Sequence, residues 1–257
     1  MSWTIERKRE ACLRASMGRA LLRPDTVIIE RPGWYQVMTP SASGTANEVV
    51  FSQVDDADAD TVIAKNVAAY RVHGRATKWC VGYWTKPADF GERLVRHGFA
   101  GWDVRGMGCA SSLALSVPSR VSVEEVTESN LDAYVAVALR GWSIPAAEGE
   151  IERGVHLAAL GAVPRAAFFF VARLDGEVVG TAALVLRGDY GYLLGTQVLE
   201  GARGQGVYRA LVAARLSFLR ARGLGYAVTQ AREATSAPML EHLGFETLFR
   251  SKCYLLR

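Results

Sequence analysis

Two helix-ending tripeptides, 146 residues apart (243 minus 97), constrain the fold of this 257-residue chain. They are His97-Gly98-Phe99 and Leu243-Gly244-Phe245, and each follows a segment with the apolar spacing of a helix. Around each tripeptide the residue pattern predicts the same order of strand, helix, strand, helix and strand. This shared order predicts a diverged internal repeat, and coincidence between two ordinary helix ends is the alternative.

A Ser- and Pro-containing stretch at residues 110–120 breaks the periodic pattern and divides the chain. We interpret residues 1–115 as a first domain and residues 116–257 as a second. Strand and helix patterns alternate in both parts, which predicts a mixed α/β (α+β) fold with a mostly antiparallel sheet flanked by helices. The predicted strands are 48–54, 78–84, 101–109, 121–126, 168–174, 177–186, 191–199, 224–230 and 245–256. The predicted helices are 58–72, 87–97, 131–142, 146–160, 208–222 and 236–243.

Composition excludes several classes of protein. No apolar run approaches the roughly 20 residues of a membrane span, and no signal peptide is visible at the N-terminus. The four cysteines form no CxxC pair, which argues against a zinc ribbon or a disulfide scaffold and predicts no metal site. The net charge of +4 comes with no basic stripe, so we expect no nucleic-acid partner. These features favour a soluble cytoplasmic protein of unknown oligomeric state.

The segment from Arg203 to Tyr208 carries the strongest chemical signal. It reads Arg-Gly-Gln-Gly-Val-Tyr, follows a predicted strand and opens a predicted helix. Two glycines allow a tight turn that exposes consecutive N–H groups, and the helix dipole favours an anion there. An ordinary turn between a strand and a helix would also fit this segment taken alone. The pattern lacks the Lys-Ser/Thr pair of a P-loop and the third glycine of a dinucleotide-binding turn.

Residues 121–257 resemble the GNAT superfamily of acyl-CoA N-acyltransferases. The family signature Arg/Gln-x-x-Gly-x-Gly/Ala corresponds to Arg203, Gly206 and Tyr208, with tyrosine replacing the small residue. A second signature, a helix ending in Leu-Gly-Phe, corresponds to Leu243-Gly244-Phe245. The resemblance implies two tandem GNAT-like domains, of which the first is degenerate. In the first domain an acidic stretch, residues 55–60, stands where the phosphate turn would be and would repel a pyrophosphate.

The resemblance also implies the cofactor and its contacts. Acetyl-CoA or another acyl-CoA would be the acyl donor, and the acceptor would be an amine of a small molecule or an amino-acid-like compound. The N–H of Val198 would stabilise the oxyanion formed when the amine attacks the thioester. The cofactor-binding residues implied in this way are Gln197, Val198, Leu199, Arg203, Gly204, Gln205, Gly206, Val207, Tyr208 and Arg209.

At the position of the family's usual proton donor, this sequence differs from the family pattern. Leu240 stands where the family usually has the tyrosine that protonates the leaving thiolate. Our candidates are Glu233 as base and Ser236 as donor to the thiolate, against the alternatives of a solvated carboxylate and a helix cap. Glu200 is a weaker candidate base. In this family a helix-turn-helix segment usually borders the acceptor pocket. The corresponding segment here contains Trp142, Glu148, Glu150 and Glu152. The alternative is that these carboxylates form an acidic surface exposed to solvent.

The departure at Leu240 leaves two other functions open. One is a CoA-binding sensor or regulatory module without transferase activity. The other is a GNAT-fold enzyme with altered chemistry, such as an acyl-CoA decarboxylase or hydrolase. The turn from Arg203 to Val207 predicts CoA binding under all three hypotheses, the transferase included.

Overall fold

The computed structural model describes residues 3–18, 21–23, 25–40, 46–72 and 74–257. They form two compact units, each assembled from separate stretches of chain. Unit 1 comprises Met1–Leu21, Met107–Gln230 and Met239–Leu248. Unit 2 comprises Leu22–Gly106, Ala231–Pro238 and Phe249–Arg257.

Helices and strands alternate along most of the described chain. The α-helices are α1 Ile5–Arg14, α2 Ala59–Arg71, α3 Phe90–Arg96, α4 Leu131–Trp142, α5 Gly149–Leu160, α6 Val207–Ala221 and α7 Ser236–His242. The strands are β1 Val27–Arg31, β2 Trp34–Met38, β3 Glu48–Ser52, β4 Thr77–Val81, β5 Ala100–Ala110, β6 Val121–Glu125, β7 Ala167–Leu174, β8 Glu177–Arg187, β9 Tyr190–Val198, β10 Tyr226–Arg232 and β11 Glu246–Leu256.

In unit 1 the strands follow the order β5, β10, β9, β8, β7 and β6. The strands from β6 to β9 pair in an antiparallel fashion, whereas β10 runs parallel to β9. Asp175 and Gly176 form the turn between β7 and β8 with φ values of 50° and 91°, as an Asp-Gly hairpin requires.

Both faces of this sheet are covered by helices. On one face Phe169 packs with Leu131 and Tyr134 of α4 in a buried apolar cluster. On the other face Phe168 contacts Phe218 of α6, with ring centroids 4.5 Å apart. The predicted fold class, a mixed and mostly antiparallel sheet flanked by helices, is confirmed.

In unit 2 the strands follow the order β1, β2, β3, β4, β11 and β5. Its core is built around Trp79 of β4, which packs with Ile63 of α2 and Phe90 of α3. The last strand of the chain, β11, pairs antiparallel with β4 and places Cys253 opposite Cys80.

The internal repeat has structural support within each unit. Strand β3 runs parallel to β4, and β9 runs parallel to β10, so both predicted repeats contain a parallel strand pair joined by a helix. The glycines of the two tripeptides, Gly98 and Gly244, end α3 and α7 with φ values of 88° and 99°. Only glycine adopts this left-handed conformation readily.

The compact units do not follow a single division at residues 115 and 116. Each unit takes a segment from the opposite end of the chain. Unit 1, built mainly from residues 107–230, includes α1, and unit 2, built mainly from residues 22–106, includes residues 249–257. The assignment of residues 1–115 as a degenerate GNAT-like domain and of residues 116–257 as a GNAT acyltransferase domain stays a prediction.

Three elements, α1, β1 and β2, were not predicted from the sequence. In α1 the buried residues are the consecutive Ala11, Cys12 and Leu13, which do not form a helical stripe. Most of β1 is exposed, so it lacks the alternation that marks a half-buried strand.

Candidate active site

The candidate site begins where β9 separates from β10. The two strands pair over three residues each, Tyr190–Tyr192 and Tyr226–Val228. The hydroxyl of Thr229 then donates to the carbonyl of Leu193 at 2.8 Å. Residues 194–198 of β9 lie beyond this pairing, so one edge of this segment is left without a β10 partner in the described chain.

The other edge of β9 remains bound to β8. Thr181 lies opposite Gln197, and the N–H of Leu199 donates to the carbonyl of Val179 at 2.8 Å. Because successive N–H groups of a strand point to alternate edges, the N–H of Val198 faces the edge that β10 has left. Of the predicted strand contacts, the N–H of Val198 is therefore placed to bind a ligand and that of Leu199 is not.

The register between β8 and β9 shifts by one residue inside this segment. Ala183 lies opposite Leu194, whereas Thr181 lies opposite Gln197. Gly195 has a φ of 61°, the left-handed conformation found in one common type of β-bulge. Bulges re-aim side chains near active sites, and this one precedes the predicted cofactor contacts at residues 197–199.

A short 3-10 helix, Glu200–Ala202, leads from β9 into the glycine turn. Gly204 and Gly206 have φ values of 75° and 82°, and α6 begins at Val207 without a side-chain cap. The N–H of Ala210 is the first to donate within α6, to the carbonyl of Gly206 at 2.9 Å. The preceding N–H groups, those of residues 207–209, lie at the positive end of the helix dipole and suit an anion.

The side chains of this turn are held locally. The guanidinium of Arg203 lies on the surface, with Nε 3.4 Å from the carbonyl of Val198. The amide of Gln205 donates to the carbonyl of Gly201 at 3.1 Å. Tyr208 is half-buried, and burial raises the pKa of its phenol. These contacts leave the backbone of the turn open, and Arg203 lies beside both the turn and the free edge of β9.

Helix α4 lies against this part of β9. A Cβ atom at Gly141 would come within 3.0 Å of the Cβ of Gln197, so the glycine permits the close approach. The neighbouring Trp142 is 48% exposed. In α5, the ring of His156 donates through Nδ1 to the carbonyl of Glu152 at 2.7 Å. Burial lowers the pKa of His156.

Glu233 and Ser236 both belong to unit 2, and both side chains accept hydrogen bonds within it. The Glu233 carboxylate accepts from Nε of Arg105 at 2.7 Å and from Arg250 at 2.6 Å. The hydrogen bond from Arg105 is the main reason why the pKa of Glu233 lies below its usual range. A carboxylate held in this way is a poor base near neutral pH, so the arrangement disfavours the role predicted for Glu233.

Three other residues were considered for proton transfer, and their surroundings differ. Ser236 Oγ accepts from the N–H of Arg232 at 3.0 Å, and because Arg232 precedes α7 this bond is not the predicted helix cap. Leu240 is buried with 2% exposure and offers no proton. Glu200 is exposed next to the glycine turn.

The first half of the chain carries acidic residues where the predicted repeat would place the glycine turn. Arg93 pairs with Asp60 at 3.0 Å and with Asp89 at 2.9 Å, and it also contacts Asp56 at 2.5 Å. Carboxylates clustered at this position disfavour an anion such as a phosphate. The predicted absence of a phosphate turn in the first half stays a prediction.

We expect Glu233→Gln to lower the melting temperature at pH 7, because Arg105 loses its anionic partner. The pKa of Glu233 is lowered in the folded state, so the stabilisation is present above the unfolded carboxyl pKa of about 4.3. It is lost as the pH falls through the lower folded value. Calorimetric melts at several pH values should show the difference from the wild type shrinking in acid. Glu177→Gln, at an exposed residue, is the control and should show no such difference.

Comparison with known proteins identifies a domain in the second half of the chain. A family profile described as "Acetyltransferase (GNAT) family" matches residues 128–245. This range contains the separated strands, the glycine turn and α6. Residues 128–245 form a GNAT acetyltransferase domain.

Solved structures share the fold of this protein over nearly its whole length. A functionally unknown conserved protein from Staphylococcus epidermidis has a TM-score of 0.71 at 13% identity, covering 94% of this chain and 98% of its own. A GCN5-related N-acetyltransferase from Kribbella flavida has a TM-score of 0.65 at 14% identity, covering 97% and 93%. A tandem GNAT protein from the clavulanic acid biosynthesis pathway has a TM-score of 0.58 at 16% identity, covering 98% and 94%. These likenesses are consistent with two GNAT-like domains.

A search of curated proteins found no match to this chain. Within the described residues, no group of three or more His, Cys, Asp or Glu side chains is arranged to hold a metal ion. No helix in the described part of the chain is long and apolar enough to cross a membrane.

Proposed function

We propose that this protein transfers an acyl group from an acyl-CoA, acetyl-CoA in particular, to an amine of a small molecule or an amino-acid-like compound. The observation that carries the proposal is the free edge of β9 at residues 194–198, which the short 3-10 helix and the glycine turn connect to the uncapped start of α6. An extended pantetheine arm can pair with a free strand edge, and a pyrophosphate can bind the N–H groups of residues 204–208.

The chain itself supplies electrostatic stabilisation for the reaction. The amine nitrogen attacks the thioester carbonyl carbon, and the carbonyl oxygen becomes an oxyanion before the thiolate leaves. The N–H of Val198, on the free edge, is available to stabilise that oxyanion. The amine must lose a proton and the thiolate must gain one, and Glu200 and water are the remaining candidates for these transfers.

Buried Leu240 favours a second function, that of a CoA-binding sensor without transferase activity. The residue offers no proton to the thiolate, and Glu233 is tied to two arginines. Under this alternative the glycine turn would bind acyl-CoA but no acyl transfer would follow.

Calorimetric titration with acetyl-CoA tests the part that both functions share. We expect saturable binding, and we expect Arg203→Ala to weaken it about tenfold because a charge-assisted contact is lost. Arg173→Ala is the matched control, since Arg173 pairs with Glu124 on the surface at 3.0 Å. The absence of binding at millimolar acetyl-CoA would contradict the proposal.

A panel of small amines with detection of released thiol separates the two functions. Acetyl-CoA-dependent thiol release with at least one amine is expected for a transferase. Binding of acetyl-CoA without release in any amine would favour the sensor.

A further inference from the structure

A fully buried arginine lies under the bulge of β9. Arg215 of α6 is 1% exposed, and among the described residues it has no carboxylate partner. Burial lowers the pKa of its guanidinium to about 10, so the group remains a cation near neutral pH. Buried cations without a counter-ion are costly, which makes the position unusual for a purely structural residue.

The guanidinium binds the backbone at the register shift. Nη1 donates to the carbonyl of Ala183 at 3.1 Å and to that of Leu194 at 3.4 Å. These two residues form the last regular pair before the bulge at Gly195. Nε donates to the carbonyl of Leu211 within α6 at 2.9 Å, which fixes the side chain. Arg215 thus ties α6 to the irregular part of β9.

The fourth hydrogen bond of the Arg215 guanidinium goes to a side-chain hydroxyl. Nη2 of Arg215 donates to Oγ1 of Thr196 at 2.8 Å. Because the oxygen of Thr196 accepts from a cation, its hydrogen is free to be donated elsewhere, and no acceptor for it lies among the described residues. Thr196 is half-buried and lies two residues before Val198, on the part of β9 that has no β10 partner.

We propose that the Thr196 hydroxyl donates a hydrogen bond to the thioester carbonyl oxygen of the bound acyl-CoA, and that Arg215 positions that hydroxyl. The inference rests on the proposed acyl-CoA function. As the amine nitrogen forms its bond to the carbonyl carbon, the π electrons move to the oxygen, which Thr196 and the N–H of Val198 stabilise. The C–S bond then breaks and the thiolate leaves with the bonding electrons, while the nitrogen loses its extra proton through Glu200 or water and the thiolate gains one, so that the products are an amide and a free thiol. Thr196 stays protonated throughout.

The carbonyl resonance of bound acetyl-CoA labelled with ¹³C at that carbon tests this role without a known acceptor. Hydrogen bonding to the oxygen moves the resonance downfield. We expect a downfield shift on binding to the wild type, a smaller shift with Thr196→Val, and recovery with Thr196→Ser. Arg215→Lys should reduce the shift as well, because the flat guanidinium fork is lost.

Affinity for CoA without an acyl group supplies the second measurement. We expect Thr196→Val to leave it within about twofold of the wild type, because no phosphate contact changes. Thr181→Val is the matched control, since the Thr181 hydroxyl is buried on the facing strand without a hydrogen-bond partner in the described chain. This control should keep the wild-type resonance. With an amine found in the panel, Thr196→Val should lower kcat about 100-fold, as the loss of one oxyanion donor does.

The outcomes separate the inference from the function on which it rests. If the wild type binds no acetyl-CoA, both are overturned. If the wild type binds it and Thr196→Val shows the same resonance, the role of Thr196 is overturned and the acyl-CoA function stands. If Arg215→Lys does not fold, the three threonine variants decide.

Discussion

A chain shortened to residues 116–257 is expected to show no cooperative thermal unfolding and no acetyl-CoA binding. The cut removes α1 and residues 107–115 from unit 1, where Cys12 and Met107 are fully buried and Leu13 is 5% exposed. Burial of each large apolar side chain contributes about 1.5–3 kcal/mol. Loss of several such residues is comparable with the total stability of a domain, about 5–15 kcal/mol.

Circular dichroism melts of the shortened chain provide the measurement. Co-expression of residues 1–115 with residues 116–257 is the control, because it restores every segment of unit 1 in two pieces. The pair should recover a cooperative transition. A sharp transition in residues 116–257 alone would show that the exchanged segments are dispensable.

Gly206→Ala is expected to weaken acetyl-CoA binding at least tenfold more than Gly204→Ala. Both glycines have a left-handed φ, so alanine at either site costs about 1–2 kcal/mol of backbone strain. At Gly206, however, a Cβ atom would lie 2.6 Å from Cγ of Pro118, whereas at Gly204 the space is open. The added clash moves the first turn of α6, and with it the N–H groups expected to hold the pyrophosphate.

Calorimetric titration of both variants measures this difference directly. Pro118→Gly in the Gly206→Ala background removes the clash and leaves the strain, so it should restore affinity to the level of Gly204→Ala. Equal affinity of the two single variants would rule out the Pro118 contact as a determinant of the turn.

Local patterns were sufficient to predict most elements of the fold. The Asp175-Gly176 turn, the glycine turn before α6 and the glycine ends of α3 and α7 all depend on conformations that few residues adopt. Apolar periodicity gave the helices and strands between them. Such signals lie within a few residues of sequence, which is why they could be read without the structure.

Contacts between distant parts of the chain could not be predicted in this way. The pairing of Glu233 with Arg105 spans 128 residues, and nothing near Glu233 indicates it. Arg215 has the helical spacing of a surface residue but is buried, and it donates to the carbonyls of Ala183 and Leu194 next to the bulge in β9. The role of Thr196 likewise depends on a register shift that the sequence does not show.

The exchange of end segments also sets the order in which the protein can be completed during synthesis. Helix α1 is synthesised before the strand on which it packs, since the Cys12 thiol contacts the carbonyl of Thr229, which lies 217 residues later in the chain. Unit 1 has all its segments only after residue 248 has been made, and unit 2 only after residues 249–257. The nascent chain therefore carries incomplete sheets while most of residues 1–257 are being made, and such sheets expose strand edges and apolar surface.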